Sequence, residues 1–324
     1  MLLEVKNLTT QFKLKKGEVN AVNNINFGVD EGEILAIVGE SGSGKSVTSL
    51  SIMGLLGEPG KVTGGEIIFR DEDLRKKTKK EMQDIRGNKI SMIFQEPMTS
   101  LNPVYRIKDQ MLEGIVFHMG LSKEDALKRA VKMLEMVGIP SPEKRINDYP
   151  HQMSGGMRQR VMIAMALSCN PDLLIADEPT TALDVTIQAQ ILELLYKLRE
   201  KLNMGILLIT HDLGVVAEAA DRVIVMYCGR IVEDAKVEDI FKNPKHPYTI
   251  GLLNSIPKLE EDKDKLYMIK GAVPNPLNMP KGCPFSDRCD KCMEKCKQNV
   301  PALTEVGDQK VRCFLYSDEV EVIE

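Results

Sequence analysis

The sequence predicts an α/β fold in which a mostly parallel sheet is covered by helices. Two observations carry this. Short apolar runs alternate with helical stretches along most of the chain, as in βα units. Residues 39–46 read Gly-Glu-Ser-Gly-Ser-Gly-Lys-Ser. This is G-x-x-x-x-G-K-[ST], a phosphate-binding loop, set between an apolar run and a helical stretch as the motif requires.

The elements follow in order. Leu2 to Val5 is an opening strand, followed by Phe12 and the lysine-rich segment Lys13 to Gly17. Glu33 to Val38 is the strand that enters the loop, and Ser46 to Leu56 the helix that leaves it. Glu66 to Phe69 and Lys89 to Phe94 read as further strands. Residues 98–168 turn helical, at Ile107 to Met119, Lys123 to Val137 and Gly155 to Ser168, and read as a helical insert. Buried strands return at Leu173 to Asp177, Gly205 to Thr210 and Arg222 to Met226. After Pro257 the composition shifts to Lys, Glu and Asp and then to Pro, Asn and Gly, which reads as a linker. A cysteine-bearing tail begins near residue 280.

Composition narrows the function classes. The 324 residues are 43% hydrophobic, enough for one large domain and an appendage. A net charge of −4 gives no basic excess, so no nucleic-acid partner is expected. No apolar run approaches the roughly 20 residues that cross a bilayer. No charged-then-apolar leader opens the chain, so a cytosolic chain is expected, reaching any membrane through a partner. Of seven cysteines, Cys169 and Cys228 lie in the main body, and Cys283, Cys289, Cys292, Cys296 and Cys313 crowd the last 42 residues. In a reducing compartment such crowding points to metal rather than disulfides.

Each motif has its own chemistry. Gly39, Gly42 and Gly44 allow backbone shapes that turn N–H groups, including those of Ser41 and Ser43, onto phosphate oxygens. The following helix adds its N-terminal dipole. Lys45 supplies charge near the β- and γ-phosphates, and Ser46 a hydroxyl for Mg²⁺. Asp177 and Glu178 end an apolar strand, where ligands bind in open α/β sheets. Asp177 is expected to hold Mg²⁺, mostly through water, and Glu178 to polarise the attacking water. His211 follows another buried strand and is placed to sense the γ-phosphate. Gln95 follows a strand at the start of the insert and is placed to touch the metal or the water. Ser154-Gly155-Gly156 opens a helix, a second phosphate cradle on one chain. Phe12 offers an aromatic face to adenine, or is a core residue. Asp184 bridges a dimer seam, or is a helix N-terminal acid.

In order and spacing, Gly39–Ser46, Gln95, Met153-Ser-Gly-Gly-Met-Arg-Gln-Arg160, Leu173–Pro179, Ala182-Leu183-Asp184 and Leu207–His211 resemble the ATP-binding subunits of ABC transporters over about the first 255 residues. The resemblance implies a P-loop NTPase of ABC type with an N-terminal antiparallel β portion and the helical insert. It implies Asp177 as the Walker B aspartate, Glu178 as the catalytic glutamate and His211 as the switch histidine. Two subunits would meet head to tail, so that Ser154, Gly155 and Gly156 complete the partner's ATP site. Met153 and Met157 depart from the commonest signature, which has Leu and Gln there.

The tail resembles the C-terminal extension of oligopeptide and dipeptide importer ATPases. Cys283-Pro-Phe-Ser-Asp-Arg-Cys289, Cys296, Val-Arg-Cys313, Asn243–Tyr248 and Gly271–Pro276 carry that likeness. The subfamily's four cysteines map onto Cys283, Cys289, Cys296 and Cys313, leaving Cys292 over. Four thiolates hold a [4Fe–4S] cluster or a structural Zn²⁺, and intervals of five, six and sixteen residues suit zinc less well. The expected domains are residues 1–255, with the insert at about 98–168, and an extension at 256–324. The expected function is an ATPase subunit, with ATP and Mg²⁺, that powers peptide import from the cytoplasmic face of the membrane. Its expected partners are a second homologous ATP-binding subunit, two transmembrane permease subunits and, indirectly, an extracytoplasmic binding protein. The alternatives are an importer subunit for nickel or another solute, and a soluble non-transport ABC ATPase.

Overall fold

A computed structural model of the chain describes residues 1–95, 101–180, 185–256 and 267–321. They form two compact units that interleave along the sequence. One comprises Met1–Leu2, Val29–Glu33 and Glu72–Ile209, the other Leu3–Gly28, Ile34–Asp71 and Thr210–Glu324. Of the linker expected after Pro257, residues 258–266 lie outside the described residues.

The first unit holds three parallel strands. Leu173–Asp177 is central, flanked by Ile90–Ile93 and Gly205–Ile209. All five residues of Leu173–Asp177 and of Gly205–Ile209 are buried. Continuous apolar strands of this kind need cover on both faces, which explains why they read without alternation. The insert supplies helices Ile107–Met119, Lys123–Met136 and Gly155–Leu167, packed in succession. Ile107, Met111 and Ile115 bury one face of the first, and Ala126, Ala130, Met133 and Leu134 a face of the second. Gly120 ends the first in the left-handed region, and Ser122 caps the second by accepting from the Asp125 N–H. A long helix, Val185–Leu202, follows the central strand.

The second unit has an antiparallel portion and a mixed sheet. Leu3–Leu14 runs antiparallel to Gly60–Phe69, from Leu3 opposite Phe69 to Phe12 opposite Gly60. Gly17–Val29 lies on the other side of Leu3–Leu14. The opening strand is thus far longer than Leu2 to Val5. Its alternation breaks where the register shifts between Lys6 and Thr9, with Asn7 at a φ of 49°. In the mixed sheet Ile34–Val38 runs parallel to Arg222–Tyr227. Arg230–Lys236 returns antiparallel beside the latter.

The tail extends this sheet. Gln309–Val311 pairs with Arg230–Lys236, placing Val311 opposite Glu233, and Thr304–Val306 pairs outside it. A buried charge network joins the same elements. The Glu321 carboxylate accepts from Arg230 and, at 3.1 Å, from Arg312, and the three side chains are 6–8% exposed. Such buried charges persist only when paired. Among the described residues no helix is long and apolar enough to cross a membrane.

Candidate functional site

The phosphate-binding loop joins Ile34–Val38, fully buried, to helix Lys45–Met53. Gly39, Gly42 and Gly44 take φ values of 151°, 79° and 102°. A Cβ at Gly39 would lie 2.2 Å from the Met226 carbonyl oxygen, and one at Gly44 2.5 Å from that of Ala21. No side chain fits at either position, so the backbone alone lines the turn. Gly44 is the helix N-cap and gives no side-chain cap, and the positive end of the helix dipole at this turn suits an anion. Lys45 is 7% exposed, and its ammonium donates to the carbonyls of Gly39 at 2.7 Å and Glu40 at 3.1 Å. Ser43 is buried and Ser41 exposed, while Ser46 is half-buried in the first turn of the helix.

The acidic pair lies in the other unit. Asp177 is the last residue of its strand and 3% exposed. Glu178 leaves the strand at a φ of 48°, a left-handed conformation rare outside glycine. Its N–H donates to the Ile209 carbonyl at 2.8 Å. Gln95 Nε2 donates to Glu178 Oε2 at 3.1 Å, so two residues 83 positions apart are brought together. Gln159 also donates to the Pro179 carbonyl, which ties helix Gly155–Leu167 to the turn after Glu178. Ser154 caps that helix, its hydroxyl accepting from the Met157 N–H at 3.3 Å. Ser154 and Gly155 are exposed and Met153 is 4% exposed, so the departure from Leu at 153 keeps a buried apolar anchor.

His211 is exposed, between the end of the strand Gly205–Ile209 and the helix Leu213–Ala219, whose N-cap Asp212 accepts from the N–H groups of Gly214 and Val215. Phe12 is half-buried, its ring packed over Gly60, where a Cβ would come within 2.7 Å of it. Asp184 lies outside the described residues.

In the tail, Cys283, Cys289, Cys296 and Cys313 line one pocket together with His246, Phe285 and Met293, and Cys292 does not line it. Burial pushes the Cys283 thiol up to about 12, with Cys296, Cys313 and Cys289 adding to the effect as neighbouring charges. Among the described residues no three His, Cys, Asp or Glu draw close enough to grip a single metal ion. None of the seven cysteines forms a disulfide. One arrangement carried no signal in the sequence. Arg288, in the turn between Cys283 and Cys289, pairs with Glu40 of the phosphate loop, 248 positions away.

Residues 22–181 match the ABC transporter family, and residues 232–296 match the oligopeptide/dipeptide transporter C-terminal region. The oligopeptide transport ATP-binding protein AppD of Bacillus subtilis is 59% identical over 98% of this chain and 98% of its own. The chain belongs to the oligopeptide and dipeptide transport ATP-binding proteins. Within that family the dipeptide transport ATP-binding protein DppD of Haemophilus influenzae is 52% identical over 96% of this chain and 94% of its own. A solved dimeric ATP-binding cassette, MJ0796 in a post-hydrolysis state with ADP and phosphate, has a TM-score of 0.66. It is 32% identical and covers 72% of this chain and 98% of its own. As a family member the chain is an ABC-type ATPase, a P-loop NTPase that binds and hydrolyses ATP.

Proposed function

We propose that this ATPase powers the import of peptides across the cytoplasmic membrane. The observation that carries the reading is likeness along the whole chain, tail included, to a relative named as an oligopeptide transport ATP-binding protein. The chain would sit at the cytoplasmic face and pair with a second homologous ATP-binding subunit. The pair would drive two membrane permease subunits fed by an extracytoplasmic binding protein. A dimeric solved relative supports the pairing. In the purified complex, di- and oligopeptides presented by the binding protein are expected to stimulate ATP hydrolysis. Stimulation by nickel with no response to peptides would overturn the cargo.

The site residues take the following roles. Gly39 and Ser41 to Ser46 wrap the phosphates, with Lys45 as the cation. Ser46, Asp177 and Gln95 would hold Mg²⁺, which would neutralise developing charge on the phosphates. Glu178 orients the attacking water with Gln95 beside it, and His211 reads the γ-phosphate. Phe12 stacks on adenine. Ser154, Gly155, Gly156 and Asp184 serve the partner's site. Residues 1–255 form the nucleotide-binding domain and 256–324 the extension.

The extension is read as a [4Fe–4S] domain. Four cysteines lining a single pocket, with Cys292 apart, match the ligand count of a cubane, and their intervals of five, six and sixteen residues suit zinc less well. The cluster would staple a segment with few apolar residues of its own. Anaerobically purified protein is expected to carry roughly four iron and four acid-labile sulfide per chain. Cys283→Ser, Cys289→Ser, Cys296→Ser or Cys313→Ser should release them, and Cys292→Ser should not. Stoichiometric zinc without iron would sink the cluster. Loss of iron on changing Cys292 would show that the ligand set is wrong.

A further inference from the structure

We propose that Arg288 of the cysteine-bearing tail is a positioning residue for the phosphate-binding loop: it fixes Glu40, and the tail thereby sets the affinity for ATP. Arg288 Nη1 donates to Glu40 Oε2 at 2.6 Å and Nη2 to Glu40 Oε1 at 3.0 Å. This two-pronged pairing fixes direction as well as distance. The Arg288 side chain is 5% exposed and that of Glu40 30%, so water screens the pair little.

Arg288 is itself held. Its Nε donates to the Lys270 carbonyl at 3.1 Å, and its guanidinium stands 5.8 Å from the ring centres of both Tyr227 and Phe285. Tyr227, Tyr248 and Phe285 pack on one another, with centroids 4.6–5.4 Å apart. Phe285 comes from the tail, so this buried aromatic group exists only when the tail is folded against the loop.

Glu40 is the second residue of the loop and is held at three points. Its carboxylate takes Arg288. Its N–H donates to the Tyr248 hydroxyl at 2.8 Å. Its carbonyl accepts from Lys45 Nζ at 3.1 Å and from the Ser43 N–H at 3.2 Å. Lys45 Nζ thus bonds the carbonyls of both Gly39 and Glu40, so fixing Glu40 also fixes part of the lysine's seat. A loop held this way is already ordered, and ATP binding loses less affinity to ordering it. Separately, Val273, Pro274, Pro276, Met279 and Lys281 of the tail line a pocket with Gly42 of the same loop. The tail thus borders the loop at two places. The Arg288–Glu40 pair does not need the cysteines to hold metal; its effect on ATP rests only on the loop being the ATP site, which Lys45→Ala tests separately.

The test uses the full-length chain and its assembled complex. Glu40→Gln, Arg288→Gln, the double variant and Arg288→Lys are compared for MgATP dissociation constant, KM for ATP, kcat and iron content. Each Gln variant is expected to weaken MgATP binding about tenfold, within the usual range for coupled neighbours. The double variant should be no weaker than the worse single, because both remove one interaction. KM should rise while kcat at saturating ATP stays within about twofold, the signature of lost binding rather than lost chemistry. Arg288→Lys, which keeps the charge but not the fork, should fall between. Iron content should be unchanged in Glu40→Gln, which leaves the tail's sequence intact and so separates loop positioning from tail unfolding. Normal MgATP affinity in Glu40→Gln would overturn the proposal even if Arg288→Gln is impaired, as would effects that multiply in the double variant.

Discussion

Glu178→Gln keeps MgATP binding and lowers turnover of the assembled transporter by at least about 10², the low end for a lost general base. Leu173–Asp177 is buried from end to end, and its final residue, Asp177, is the proposed holder of Mg²⁺ through water. The chain then turns sharply at Glu178, at a φ of 48°, with its N–H fixed on Ile209. A turn held in this strained form aims one side chain in one direction. The carboxylate already accepts a hydrogen bond from Gln95 at 3.1 Å, and a glutamine oxygen accepts the same bond. The substitution therefore preserves shape and the Gln95 contact and removes the negative charge, and with it the ability to take a proton from water. Nucleotide dissociation constants and steady-state hydrolysis on the same preparation decide the matter. Near-normal turnover would remove Glu178 from the chemistry.

The site was legible where residues adjacent in sequence make it. The phosphate loop needs glycines, a lysine and a serine in one short run, and the fold places that run between a buried strand and a helix. The central strands were legible because both faces are covered, so their apolar runs are continuous. The strand Gly17–Val29 was not. Its buried residues Val19, Val22, Ile25, Phe27 and Val29 stand three, three, two and two apart, and Asn24, at a φ of 50°, interrupts the alternation. A period of two disguised in this way cannot be told from a loop. The three-residue strands of the tail are too short to show any period. Long-range pairs were silent for another reason. Gln95 was a candidate on its own account, but its bond to Glu178 exists only once two strands lie parallel. The Arg288–Glu40 pair depends on a tail whose position no local pattern encodes.

Ser154→Arg is expected to leave MgATP binding by the isolated subunit intact and to abolish ATP-driven dimer closure, and with it hydrolysis and transport. Ser154 caps the helix Gly155–Leu167 by accepting from the Met157 N–H, and the next residue, Gly155, is exposed. Besides the Met157 N–H that Ser154 takes, the start of this thirteen-residue helix offers N–H groups beside the exposed Gly155, which suit an incoming phosphate. If that phosphate belongs to the partner's nucleotide, the cradle matters only when two subunits close. An arginine at 154 fills the approach with a long side chain. It also removes a cap worth about 1 kcal/mol, which a helix packed within the insert tolerates. Ser154→Ala separates the two effects, since it removes the cap but leaves the approach clear, and it should retain closure. Lys45→Ala is the opposite case. It deletes the cation of the subunit's own loop, so it should weaken MgATP binding by the monomer directly. Dissociation constants for the monomer, and dimer formation with ATP in the Glu178→Gln background, read the two steps apart. Loss of monomer binding in Ser154→Arg would place both cradles on one nucleotide and overturn the shared-site reading.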